Sequence, residues 1–222
     1  MLKLLIALVL AALLAQPALA FKFSDDEQQA AADEAARRDR IAQLVSVPCR
    51  ERIKGQKIMT VIAERTGNGF FNVTQSRYGP HFQAINGRLR ALGLKTYTQE
   101  EIRAQIAQAE LEAYFRNDPD AALAASRKLG ANFILRGLIS TQSSINPVLR
   151  IPEVSVSMGF TLTGANGRII SDAGARAESY SGSDTLGMAL TLVNEQADEV
   201  VARLYGDYCR NAGLGGSPAK AR

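Results

Sequence analysis

The chain has 222 residues, 46% of them hydrophobic, with 26 Lys and Arg against 22 Asp and Glu and a single histidine. That size and apolar content suit one folded domain with a real core plus appendages, and exclude a chain too polar to fold. The net charge of +4 is spread along the sequence with no basic patch interleaved with aromatics, so nucleic acid is not an expected partner.

The chain begins Met1-Leu2-Lys3, followed by an apolar run from Leu4 to Leu14 and then Ala18-Leu19-Ala20. One positive charge, a short hydrophobic stretch and an A-x-A site predict a secretory signal peptide over residues 1–20, cleaved after Ala20. The run is shorter than the ~20 residues that span a bilayer, and no cysteine follows the site to carry a lipid anchor. The expected address is the periplasm, reached by a cleavable leader, with outer-membrane association left open and no membrane span in the mature protein. Cys49 and Cys209 are the only cysteines. In an oxidising compartment they are a candidate disulfide bracketing the domain, with two free thiols or one intermolecular bond as the alternatives. A catalytic thiol is disfavoured, because nothing near either cysteine resembles a Cys–His arrangement.

After the leader, Ser24 to Glu27 has the form of a capping box, and acidic residues precede Arg37, Arg38 and Arg40 in the order a helix dipole prefers. A helix is predicted over 25–46, within an N-terminal arm of residues 21–46 that either awaits a partner or lies on the domain. Arg50, Arg52, Lys54 and Lys57 read as a solvated connection. Lys57 to Glu64 is apolar on both faces, as in a strand covered by helices on both sides. Thr66-Gly67-Asn68-Gly69 is a loop that lacks the third glycine of a dinucleotide fingerprint. Phe82, Ile85, Leu89 and Leu92 fall at helical spacing, and Gly93 ends that helix. His81, at its start, has no Cys, Asp or Glu clustered with it and reads as a surface or capping residue. A short strand at 94–97 leads to a second capping box, Thr98 to Glu101. The helix after it runs through Phe115, with Glu100, Glu101, Glu110 and Glu112 on a solvated face.

Asp118-Pro119 opens an alanine-rich helix that stops at Gly130. Ala131 to Ser140 is too apolar and β-branched for a loop. A polar break runs from Gln142 to Pro147. Beyond it Val154, Val156, Met158, Phe160 and Leu162 alternate with Ser155, Ser157, Gly159, Thr161 and Thr163, a strand with one buried and one wet face. Asn166-Gly167 turns the chain and residues 168–180 return antiparallel. From about Ser183 to Cys209 a long helix carries one apolar stripe, Leu186, Leu190, Val193, Ala197, Val200, Leu204 and Tyr208. Ala212 to Arg222 reads as a disordered tail. The expected fold class is α/β, an α+β sandwich. It has a mixed sheet of about four to five strands with a long antiparallel hairpin, helices packed on it, and a single domain over 47–211.

Residues 57–209 follow a pattern that includes "LRALGLKTYT" and "AASRKLGANFILRGLIS". The piece from Leu129 to Gly137 resembles a segment of the TolB amino-terminal-like periplasmic domains. That group includes the curli secretion lipoprotein, the lipoprotein activators of penicillin-binding proteins and the flagellar assembly protein FlgT. Asn132 stands where the family more often has aspartate. The resemblance implies a non-enzymatic domain that docks on partners or oligomerises in envelope machines, and in the curli case lines an outer-membrane pore. Two features depart from the pore pattern: no lipobox cysteine is present, and Asp172, Arg176 and Glu178 make the return strand too polar for a lipid face.

The function expected from these readings is partner binding in assembly or maintenance of an envelope, secretion or appendage complex, with no enzyme activity and no cofactor or metal. Partners are expected among envelope proteins, and a homo-oligomer is left open. The candidate contact residues are Ala165, Asn166 and Gly167 at the hairpin turn, Gln142 in the polar break, and the N-terminal helix. Two alternatives stand beside it. One is an oligomeric outer-membrane-associated secretion component. The other is a periplasmic hydrolase with dispersed carboxylates, for which no G-x-S-x-G, H-E-x-x-H, S-x-x-K or metal-spaced Cys/His motif is found.

Overall fold

The computed structural model describes residues 23–46, 49–65, 71–73, 78–116, 118–179 and 184–211. The predicted leader, the 66–69 loop and the 212–222 tail lie outside them. The sheet is built around strand β1 (Lys57–Arg65), whose residues from Ile58 to Glu64 are all buried, as expected of a strand covered on both faces. Strand β4 (Phe133–Ile145) lies parallel to it, from Ile58 beside Phe133 to Arg65 beside Ser140. Strands β5 (Pro152–Gly164) and β6 (Ile169–Ser179) continue antiparallel. Two short strands complete the mixed sheet. β2 (Phe71–Asn72) pairs antiparallel with the end of β1, and β3 (Lys95–Thr96) pairs parallel with its start. The path is β2-β1-β4-β5-β6. The predicted mixed sheet and long hairpin are present, and β2 is a strand the sequence reading does not place.

Helices occupy both faces. On one, α3 (Gly79–Ala91) and α7 (Thr185–Asn211) cover β1, β4, β5 and β6. There Ile58, Leu135 and Leu162 meet Leu89, Val201 and Leu204. Arg88 of α3 clamps α7 through Asp198 at 2.8 Å and the Asn194 carbonyl at 3.3 Å. Gly137 allows a close approach in this layer, since a Cβ there would lie 3.1 Å from Phe160 and 3.2 Å from Ile62. The other face holds α4 (Gln99–Gln105), α5 (Gln108–Phe115) and α6 (Pro119–Leu129), with the Arg136 guanidinium 5.8 Å from the Tyr114 ring. Beyond Thr163, which Tyr114 of α5 reaches, the predicted alternation in β5 appears as Met158, Phe160 and Leu162 buried against Gly159 exposed and Ser157 and Thr161 half-buried.

Asn132 secures the join between β1 and β4. Its side-chain oxygen accepts from the Lys57 amide at 2.8 Å, its own amide donates to the Lys57 carbonyl at 2.8 Å, and its carbonyl accepts from Ala165. An aspartate here, the residue commoner in the domains this segment resembles, would supply the same acceptor oxygen and keep this bond. Cys49 and Cys209 are joined by a disulfide with Cα atoms 5.7 Å apart, closing a sequence separation of 160.

The chain divides after Arg38 into two units. Helix α1 (Phe23–Val45) supplies the described part of the first and opens the second. In the first unit Glu34 and Arg37 pair at 2.9 Å on an exposed surface, and the Ser24 capping side chain lies outside the described residues. In the second, the last turns of α1 lie on α7. Arg40 approaches Glu199 at 3.8 Å, and Leu44 fills the space above Gly206.

The basic stretch after Cys49 is solvated as expected, with Arg50, Arg52, Lys54 and Lys57 all exposed, and its first part forms a one-turn helix, α2 (Arg50–Ile53), as Ile53 is drawn into the core. Three expectations need correction. The helix predicted from Thr98 through Phe115 breaks at Ile106. That residue is buried in an extended conformation, φ −119° and ψ 120°, and the Glu110 carboxylate accepts from the Ala107 amide to start α5 afresh. His81 is buried, edge-on to Tyr78 with ring centroids 6.1 Å apart. The polar break is shorter than expected: Gln142 to Ile145 belong to β4, and the turn falls at 146–151.

Candidate docking surface

Two turns close the ends of β5, and they place the expected contact residues far apart. Gln142 pairs with Ser155 near one end, while Ala165, Asn166 and Gly167 follow Gly164 at the other. Nine strand residues at about 3.4 Å each separate them by roughly 30 Å.

The β5–β6 turn is exposed, and the amides of Gly164, Ala165, Gly167 and Arg168 are all bonded. The Gly164 amide donates to the Arg168 carbonyl and the Gly167 amide to the Gly164 carbonyl, both at 2.9 Å. The Asn166 side chain accepts from Arg168 at 3.1 Å, and Gly167 takes φ 82°, a left-handed value that glycine adopts without strain. Ala165 spends its amide on Asn132, and the Arg168 guanidinium donates to the Asn211 carbonyl.

The β4–β5 turn differs in chemistry. β1 ends opposite Ser140, so residues 141–145 of β4 run on roughly 15 Å past it with their β5 partners. At the end of this arm Val148 is 85% exposed, Ile145 63%, Leu149 59% and Ile151 37%. Four backbone amides of the loop that carries them are bonded within it. The Asn146 side-chain oxygen accepts from the Val148 and Leu149 amides at 3.0 and 2.9 Å, and its amide donates to the Ile151 carbonyl at 2.9 Å. The Arg150 amide donates to the Asn146 carbonyl at 2.8 Å. Arg150 takes φ 55°, the one non-glycine residue with positive φ among the described residues. Such a residue costs on the order of 1–3 kcal/mol and persists where the surrounding bonds hold it. The result is a stiff apolar knuckle on a projecting arm. The sequence signal for it is four apolar residues in the seven from Ile145 to Ile151, where turn chemistry calls for polar ones.

The carboxylates read as a solvated face are committed to structure. Glu101 accepts from the Thr98 amide at 2.7 Å, and Glu100 pairs with Arg103 at 2.9 Å. Hydrogen bonding to backbone amide holds Glu100 below its ordinary pKa, with Arg103 adding to it. The bond from Lys128 does the same for Glu110, followed by the Ala107 amide. On the other side of the sheet Thr60 donates to Asn86 at 2.7 Å within the core. Among the described residues no group of three or more His, Cys, Asp and Glu is placed to hold a metal, and no helix is long and apolar enough to cross a membrane.

No family model matches the sequence, and no curated protein sequence matches it. Among solved structures the fold is similar to lipoprotein GNA1162 from Neisseria meningitidis, at 16% identity over 65% of this chain and 99% of that one with a TM-score of 0.43. It is similar to protein CT253 from Chlamydia trachomatis, at 19% identity over 71% of this chain and 99% of that one with a TM-score of 0.47. A third is the LpoB C-terminal domain from Salmonella enterica, at 14% identity over 62% of this chain and 91% of that one with a TM-score of 0.38. All three fall below 20% identity and below a TM-score of 0.5. At these scores and identities the likeness carries no site, partner or activity over to this chain.

Proposed function

We propose that this is a non-enzymatic protein of the bacterial envelope that docks partner proteins in an assembly, secretion or maintenance complex, and that the β4–β5 knuckle is the surface it presents. One observation carries the reading: Val148 and Leu149 stand in solvent on a loop where their own amides are already bonded to Asn146 and Arg150 takes a positive φ. Contiguous exposed apolar residues mark interaction sites more often than idle surface, and a stiff loop enters an apolar pocket at little ordering cost. The leader-like first twenty residues and the Cys49–Cys209 bond suit an oxidising compartment outside the cytoplasm.

The test is crosslinking in intact cells followed by mass spectrometry, comparing the natural chain with Val148→Asp/Leu149→Asp and with Asn166→Ser. A defined set of envelope proteins captured by the natural chain and by Asn166→Ser, and lost with the knuckle variant, supports the proposal. Equal capture by all three moves the contact away from the knuckle. Loss with Asn166→Ser alone returns it to residues 165–167.

A further inference from the structure

Strand β6 ends the sheet, and among the described residues no strand pairs with its outer side. Over eleven residues it presents N–H and C=O groups that another strand can take up. Edges of this kind are commonly guarded by charge, and Asp172 and Arg176 are both exposed. The order of those charges decides what the guard admits. Asp172, Gly174 and Arg176 alternate onto one face, with Gly174 midway and also exposed. If a second β6 runs antiparallel to the first about a two-fold axis at Gly174, Asp172 of each copy faces Arg176 of the other. Opposed residues in such a ladder have Cβ atoms about 4.5–5.5 Å apart, where unlike charges attract and like charges repel.

Three further features fit this register. The irregularity between β5 and β6 falls at Leu162/Thr163, so β6 pairs regularly from Ser171 onward and Gly174 lies inside the regular stretch. On the opposite face Ala173 would stand against Ala175 of the copy, both small enough for close approach. Neither Asp172 nor Arg176 has an ion-pair partner among the described residues, whereas Asp207, on the helix packed over β6, is bonded to Arg210 and Ser171. We infer that β6 is a homodimerisation edge, pairing antiparallel with β6 of a second copy about Gly174 and joining two sheets into one. A strand of another protein would find the same backbone groups without this self-complementary order of charges.

Charge exchange separates this from other modes of association. Sedimentation of the full chain, expressed from Met1 and followed to its highest soluble concentration, should show a dimer. Asp172→Arg or Arg176→Asp alone replaces both attractive pairs with repulsive ones and should weaken the dimer by about tenfold or more. The double exchange, Asp172→Arg with Arg176→Asp, should restore it. Mixing the two single variants should yield a heterodimer, because one then carries cations at both positions and the other carboxylates. Unchanged thermal midpoints in the variants exclude unfolding as the cause. A natural chain that stays monomeric overturns the inference, as do single variants that dimerise normally or that neither the double exchange nor mixing rescues. Val148→Asp/Leu149→Asp should leave this dimer intact, so failure here and failure of the knuckle reading are separate results.

Discussion

The two ends of the β4–β5–β6 meander use the same device to opposite effect. Each turn is stapled by an asparagine side chain, Asn146 at one end and Asn166 at the other. At the Asn166 end the chain is tied down. Asn132 holds Ala165, Arg168 reaches the last residue of α7, and the Asn211 side chain donates back to the Ile170 carbonyl at 2.9 Å. Two residues before Asn211, Cys209 is bonded to Cys49. At the Asn146 end apolar side chains stand in water on an arm that outruns β1. The contrast separates exposure from availability. The polar turn is exposed with four of its amides already bonded within the fold, whereas the apolar knuckle is exposed because nothing described in this chain covers it.

The largest effect is expected at the tied end. Replacing Cys49 and Cys209 with serine releases a loop of 160 positions, for which the chain-entropy account gives about 5 kcal/mol of lost stability. Urea unfolding of the double variant against the oxidised protein measures it. A loss of only a fraction of that would mean that the hydrogen bonds around Asn211 anchor this end without the bridge.

A smaller effect belongs to Tyr114, which α5 places against Thr163, one residue before Gly164. Burial pushes its hydroxyl up to about 12, with Arg136 and the Thr163 hydrogen bond pulling the other way. The folded state therefore keeps this proton longer than the unfolded chain, whose tyrosines ionise near pH 10. The stability it contributes is complete below pH 10 and is lost as pH rises toward 12, by roughly 2–3 kcal/mol. The natural chain should lose stability more steeply across that interval than Tyr114→Phe, as read from urea midpoints at stepped pH. Parallel curves would remove Tyr114 from the tied end.

Much of the fold can be read from periodicity, since a local pattern reports which face of an element is covered. The alternation from Ser155 to Thr163 and the stripe from Val193 to Tyr208 both appear where residue spacing puts them, and the Thr98–Glu101 box closes as its residue types require. His81 was legible in part: it lies four residues before Ile85 and eight before Leu89, on the buried stripe of α3, though its chemistry argued for the surface. Ile106 could not be placed by pattern, because the break depends on the core claiming one side chain at the cost of a helical turn. The knuckle was hidden for a related reason. Asn146 and Pro147 announce a turn, but whether its apolar neighbours are covered depends on β1 stopping at Arg65 while β4 continues, which is a property of the assembled sheet.

The smallest expected effect is the sharpest test of the contrast. Val148→Asp/Leu149→Asp places two charges where the side chains already face solvent and where the amides they contribute are held by Asn146. Surface changes away from packed or bonded features stay within about 0.5 kcal/mol, so the urea midpoint and slope should match those of the natural chain. Removing apolar side chains from water-exposed positions should also raise solubility, since this is an apolar cluster with no cover of its own. A loss of a kilocalorie or more would mean that the knuckle is packed in the free protein and is a piece of core. Unchanged stability together with lost partner capture would assign it to binding alone, with the arm held in position by the tied end.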